Sequence, residues 1–263
     1  LGIEFDNIHN DENIKLIIKK EEGRMGSTSE VGHGKNVVKY GEAIDIVKGM
    51  DDLFNPANES ITMSKLLDTN NRLQAHYKKF KEIGPEFKIA IFERAALYAP
   101  MNKMATRLLN AFLAFNLGKE FDDEMISLNK KVRGQRIGKI KKDKPEEEET
   151  KTISVAQVSF DSKADTFDKM VKYAEAVSKF KPNETDVQPA TLNAYYNEIM
   201  KANGKVSGLS VKLFLGRKER DEILYNGVDN AIEQMRTLKK YLKSFEAGLP
   251  FYKKLVKLRF KDR

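Results

Sequence analysis

Cysteine and tryptophan are both missing from this chain. Without cysteine there is no disulfide scaffold, no thiolate zinc site, no cysteine-held iron–sulfur cluster and no cysteine nucleophile. Histidine is scarce too: His9, His33 and His76 lie in separate segments, none at the spacing that sets two zinc ligands on one helix face. A Glu-x-x-His motif, the di-iron signature of helical bundles, is also absent. No metal or cofactor is expected. No apolar run approaches the roughly 18 residues that cross a bilayer; Leu108 to Leu117 is the nearest and is too short. Acids at Glu4, Asp6, Asp11 and Glu12 leave no secretory signal legible, so a cytoplasmic location is expected.

What the chain has in quantity is charge. Its 263 residues carry 47 Lys and Arg against 39 Asp and Glu, a formal net charge of +8, with 33% charged and 40% hydrophobic. That length makes one large domain or two small ones and suffices to bury roughly 70–75% of the unfolded chain's surface. Seven prolines and sixteen glycines among so many Lys and Glu favour helix.

The strongest pattern is an internal repeat. Val38-Lys39-Tyr40-Gly41-Glu42-Ala43 returns as Val171-Lys172-Tyr173-Ala174-Glu175-Ala176, 133 residues on. Asn58-Glu59-Ser60 returns as Asn183-Glu184-Thr185, each shortly after a proline. Leu97-Tyr98-Ala99-Pro100 returns as Leu224-Tyr225-Asn226-Gly227 at an offset of 127. Gly118, Phe121, Met125 and Leu128 return as Gly248, Phe251, Leu255 and Leu258 at 130. The order is kept, and short insertions account for the changing offset. Two copies are predicted, 26–140 and 153–263, joined by a charged linker at 141–152 and preceded by an extension, 1–25, without a counterpart. Glu146 to Glu149 repel one another and bury nothing, so the linker is solvated.

Within each copy the apolar period is helical. Met63, Leu66, Leu67, Leu73, Tyr77 and Phe80 share a face, interrupted by Asn70, which reads as a register-setting or partnered polar residue. Met101, Met104, Leu108, Phe112 and Phe115 form a second stripe, with Val228, Ile232 and Met235 at the offset of 127 and Leu242 beyond. Pro100 and Gly227 break helices at the same repeat position, and Gly84-Pro85 and Gly204 to Gly208 mark an earlier break. Ser60 and Thr185 sit where N-caps are wanted. The helices fall at about 36–50, 60–82, 86–98, 100–116 and 120–132, then about 163–180, 188–203, 208–225, 228–246 and 250–258. The expected fold is all-α: two tandem, repeat-related antiparallel helical bundles, with Ile153 to Phe160 the only strand-like segment.

Motifs that would carry chemistry mostly fail. Gly32-His33-Gly34-Lys35-Asn36 approaches a phosphate loop, but Ser29 stands where glycine is needed and Asn36 where a magnesium-binding hydroxyl is needed. It reads as a flexible lead-in with Asn36 near a helix start. His76, beside Tyr77 on a Lys-rich helix, reads as a surface or boundary residue, and Asp122 with Asp123 and Glu219 with Asp221 as solvated pairs. The glycosylation sequons at Asn58 and Asn183 are better explained by helix capping.

The basic clusters stand out more. Residues 130–144 hold eight bases and one acid, and 236–263 hold ten bases and two acids, at equivalent places in the two copies. Lys130, Lys131, Arg133 and Arg136 lie beside Gly134 and Gly138, so this cluster leaves its helix as a flexible arm. Such tails neutralise phosphates without reading bases; they also serve as ordinary helix C-terminal cations. Phosphate or partner contacts are therefore expected from Lys130, Lys131, Arg133, Arg136, Lys139, Lys141 and Lys142, and from Lys253, Lys254, Lys257, Arg259 and Lys261.

Over residues 26–263 the chain resembles a family of functionally uncharacterised, tandem-duplicated helical proteins of Bacteroidetes-type bacteria. The resemblance rests on Gly32-His33-Gly34-Lys35-Asn36-Val37, Thr106-Arg107-Leu108-Leu109-Asn110-Ala111 and Asn129-Lys130-Lys131-Val132-Arg133-Gly134-Gln135-Arg136 in the first copy. In the second it rests on Ser154-Val155-Ala156-Gln157, Pro182-Asn183-Glu184-Thr185 and Leu238-Lys239-Lys240-Tyr241-Leu242-Lys243-Ser244-Phe245. It implies the duplication and brings no catalytic residue, cofactor or substrate. The function expected is non-enzymatic: a soluble interaction or scaffold protein with an unknown protein partner and no small-molecule substrate. The alternative is sequence-nonspecific nucleic-acid binding through the repeated basic tails.

Overall fold

The structure, a computed structural model, describes residues 31–135 and 159–261, and every regular element among them is helical. The chain is all-α. Helix α1 spans Val31–Lys48, so Gly32 to Asn36 form its first turns rather than a flexible lead-in. A short 3-10 turn, Glu59–Ile61, is capped by the Asn58 side chain, which accepts the Ser60 N–H at 2.9 Å. The Thr62 hydroxyl accepts the Lys65 N–H at 3.4 Å and opens α2, Met63–Tyr98. The cap thus sits on Asn58 and Thr62, not on Ser60, and Thr185 lies inside the matching 3-10 turn Thr185–Val187. Pro100 caps α3, Met101–Ala114, and α4 follows at Lys119–Val132 after Gly118 at φ 119°. Ser159 caps α5, Phe160–Ala176, so the strand-like segment ends in a helix cap and helix at 159–160, and its residues 153–158 lie outside the described residues. Helix α6, Pro189–Asp221, runs into a π-helical turn, Glu222–Asn226, and stops before Gly227. Asn230 caps α7, Ala231–Lys243, by accepting the Glu233 N–H at 3.0 Å, and α8 closes at Leu249–Leu255.

The expected breaks at Gly84-Pro85 and Gly204 to Gly208 are not there: α2 is 36 residues long and α6 is 33. A seven-residue period explains why. Leu66, Leu73, Phe80, Phe87 and Arg94 are all buried, and so are Leu192, Ile199, Val206, Leu213 and Arg220. That is one heptad position sustained through each helix, ending on a buried arginine both times. Burial along this stripe outweighs the one backbone hydrogen bond that Pro85 cannot donate. His76 lies on the adjoining heptad row and is 8% exposed, a core position and not the surface residue its neighbours suggested. Asn70 is only half-buried, and its Oδ1 has no hydrogen-bond partner among the described residues.

Unbroken long helices change which segments pack together. The chain divides into two compact units, one covering 89–207 and the other joining 31–88 to 208–261, with both boundaries inside α2 and α6. In the contiguous unit, Leu108 and Phe112 of α3, Met125 and Val132 of α4, Phe167 and Met170 of α5 and Leu192 and Ile199 of α6 make one hydrophobic cluster. In the other, Val37, Tyr40 and Ile44 of α1, Leu66 and Leu73 of α2, Met235, Leu238 and Leu242 of α7 and Leu255 of α8 make a second. Each cluster draws on both expected copies, and neither follows the limits 26–140 or 153–263. The physical reason is α2 itself: it runs unbroken through Gly84-Pro85, so Leu66 and Leu73 fall in one cluster and Tyr98 in the other.

Burial does not follow the register expected from the sequence motifs. Val38 is 55% exposed while Val171 is fully buried, and Val228 is 98% exposed against 1% for Met101. The buried positions pair Val37 with Phe167, Tyr40 with Met170, Met101 with Ala231 and Leu108 with Leu238, all 130 apart. Within the long helices the spacing is 126, as Leu66 and Leu192 show. The spacing falls by four between Tyr40 and Leu66, where the first half carries the extra residues, and rises by four again across the segment holding the π-turn and Asn226 to Asn230, where the second half does.

Candidate functional site

The basic residues singled out by sequence go to different places. Lys130 and Lys131 form the last turn of α4 with Arg133 as its C-cap, where cations complement the helix dipole. Arg136, Lys139, Lys141 and Lys142 lie outside the described residues. Lys253 and Lys254 are exposed on α8, and Lys257, Arg259 and Lys261 follow it, all with exposed side chains.

The stretch after α8 is pinned by its main chain, and this sequence reasoning missed. Asn36, 1% exposed on α1, donates from Nδ2 to the Lys261 carbonyl at 2.9 Å and accepts the Lys261 N–H on Oδ1 at 3.1 Å. The same Nδ2 reaches the Tyr225 hydroxyl at 3.1 Å, which also meets His33 Nδ1 at 2.8 Å. Lys39 donates to the Arg259 carbonyl, and Lys239 to the Leu258 carbonyl at 3.2 Å. The Lys239 ammonium lies 5.6 Å from the centre of the Phe260 ring, and its burial pushes its pKa down. Leu258 and Phe260 pack on the second hydrophobic cluster, whereas the side chains of Arg259 and Lys261 face solvent. Burial thus alternates along these four residues, 258 and 260 partly covered and 259 and 261 exposed.

A cavity of about 340 Å³ opens beside α2 in the same unit, lined by His76, Phe80, Ile83, Leu215 and Gly216 with Lys79, Lys212 and Glu219 among its charged groups. The His76 ring stacks on Phe80 at 5.8 Å, and its Nδ1 lies 3.4 Å from Glu219 Oε2. Neither ring nitrogen makes a well-aligned hydrogen bond among the described residues. Helices approach closely here: a Cβ on Gly216 would stand 2.7 Å from the Phe80 ring. Glu219 is exposed, as expected, whereas its expected solvated companion Asp221 is buried and held by Arg220 at 2.7 Å.

The contiguous unit has a shallower cavity of about 490 Å³, lined by Asn110, Ala111, Ala114, Phe115 and Val187, with the Arg107–Asp186 ion pair at its edge. Among the described residues, no group of three or more His, Cys, Asp or Glu could hold a metal ion, and no helix is long and apolar enough to cross a membrane. A last feature is apolar. Val211, Phe214 and Leu215, spaced i, i+3 and i+4 on α6, are 54%, 66% and 55% exposed. Comparison with models of known protein families, with characterised proteins and with solved structures gives no match.

Proposed function

We propose that this chain is a non-enzymatic helical interaction protein, built from a duplicated segment whose halves are interleaved, in keeping with its resemblance to tandem-helical bacterial proteins. The observation that carries the reading is the exposed face of Val211, Phe214 and Leu215. Scattered exposed apolar side chains need no explanation, but three on adjacent turns of one helix form a contiguous patch of the kind that contacts a partner. Lys212 and Lys218 flank it, so the fitting partner is an amphipathic helix with an apolar stripe bordered by acids. The matching buried heptads of α2 and α6 support the duplication. The test is a pull-down from the host with a photo-crosslinking residue at position 214 and a control at 179. One stoichiometric partner captured at 214, not at 179, and lost in Phe214→Glu supports the reading. Capture independent of that substitution, or a defined turnover by the purified protein, overturns it.

Nucleic-acid binding is the second reading, favoured by one observation: the side chains of Lys253, Lys254, Lys257, Arg259 and Lys261 are exposed and have no ion-pair partner among the described residues. Five phosphates neutralised on duplex DNA should weaken binding several-hundredfold, on the order of 500-fold, between 50 and 200 mM salt. Anisotropy with random duplex probes reads this. Changing Lys253, Lys254, Lys257 and Arg259 to Ala should lower the salt slope by about three to four. No binding at 50 mM salt removes the reading.

A further inference from the structure

We infer that the face formed by Asn36 and Lys39 of α1 with Lys239 of α7 is a binding site for an extended peptide, occupied in this chain by its own residues 258–261 as a self-ligand. Three features make it a built site rather than an incidental tail contact. A buried carboxamide donates to the carbonyl and accepts from the N–H of the same residue, a two-point contact with its main chain. Two lysines accompany it on the carbonyls of the preceding residues, so recognition follows the backbone at three of four positions. The side chains that enter are Leu258 and Phe260, against the hydrophobic cluster and the Lys239 ammonium, while Arg259 and Lys261 leave no imprint. The ligand the site reads is thus an extended segment with an apolar residue, any residue, an aromatic residue and any residue, in that order. Main-chain hydrogen bonds supply adhesion and alternate side chains supply selection.

The occupant we assign in trans is such a segment of a partner protein. It competes with a tethered copy whose effective concentration is of about millimolar order, so the self-ligand sets a threshold that weak sequences do not pass. This site shares no residue with the exposed α6 face, and its test does not depend on that reading.

The experiment uses the full chain and a fluorescent peptide copying residues 256–262. Wild-type protein should bind it weakly. Leu258→Ser with Phe260→Ser, which loosens the self-ligand and leaves the site intact, should bind it at least about tenfold tighter. Adding Asn36→Ala should abolish the gain. A peptide with the Leu and Phe replaced by Ser should not bind, whereas one with the Arg259 and Lys261 counterparts replaced by Ala should bind unchanged. Equal binding by wild type and the loosened variant, or indifference to Asn36→Ala, overturns the inference. A measurement on wild type alone guards against a variant that fails to fold: millimolar peptide should speed amide exchange at Lys261, whose N–H Asn36 holds, and no change there also overturns it.

Discussion

Tyr40 has no exposed surface, and its hydroxyl donates to Gln234 Oε1, while Gln234 Nε2 donates to the Ser60 carbonyl at 3.0 Å. The pair joins α1, α7 and the turn before α2 inside an apolar cluster. Tyr40→Phe leaves the Gln234 oxygen buried without a donor and should cost about 1–3 kcal/mol, whereas Tyr40→Phe with Gln234→Leu should recover part of that loss. Urea midpoints at constant m-value read both. Burial also raises the tyrosine hydroxyls of Tyr40, Tyr98 and Tyr195, Tyr98 to about 12 from its ordinary 10.0. Between those values the unfolded chain has released a proton that the folded one retains. Stability therefore holds below pH 10 and falls from there towards pH 12. A denaturation series across that range should show the decline, and Tyr98→Phe should make it shallower. Of these residues Tyr40 was legible as part of a repeated motif, but its partner was not, because nothing local ties position 40 to 234. Asn36 was misplaced for the same reason. Its meaning lies in the main chain of residue 261, which no motif records.

At the level of elements, the helix faces were legible and the helix ends less so. Leu66 and Leu73 announce a stripe, and Phe80 and Phe87 continue it at the same seven-residue spacing on either side of Gly84-Pro85. Read locally, a Gly-Pro pair stops a helix; read against the period, it is an imperfection inside one. Gly204 and Gly208 make the same point and yield a prediction of sign. Nothing lies within 4 Å of a Cβ added at either. Gly204→Ala and Gly208→Ala should each stabilise the protein by about 0.5–1 kcal/mol through lower unfolded-chain entropy. Gly216→Ala, eight residues further along the same helix, puts a methyl 2.7 Å from the Phe80 ring and should destabilise. Thermal unfolding of the three variants decides it, with melting temperatures expected to move up, up and down.

For the whole molecule, sequence similarity says which segments resemble one another and not which ones pack together. Val38 to Ala43 resembles Val171 to Ala176, yet α1 packs with α7 and α8, from the other end of the chain. Physical interleaving of this kind has a direct test. Fragments 26–140 and 153–263 should be largely unfolded when expressed apart, since each lacks half of both clusters, and should gain helix when mixed at equal concentration. Circular dichroism at 222 nm and analytical ultracentrifugation of the mixture check this. A cooperative melt from either fragment alone would show that a copy can enclose its own core.

In sequence, residues 89–207 fall between the two segments of the other unit, and this order has a consequence for synthesis. Residues 89–207 carry everything their cluster needs, so that cluster can close as soon as they leave the ribosome. Residues 31–88 emerge earlier and wait. At about 5–20 residues per second, the interval between residues 88 and 208 lasts roughly 6–24 s. Through it the apolar faces of Tyr40, Ile44 and Leu66 have no α7 to cover them. During synthesis residues 31–88 thus expose a greasy surface for seconds, until α7 and α8 follow to cover it.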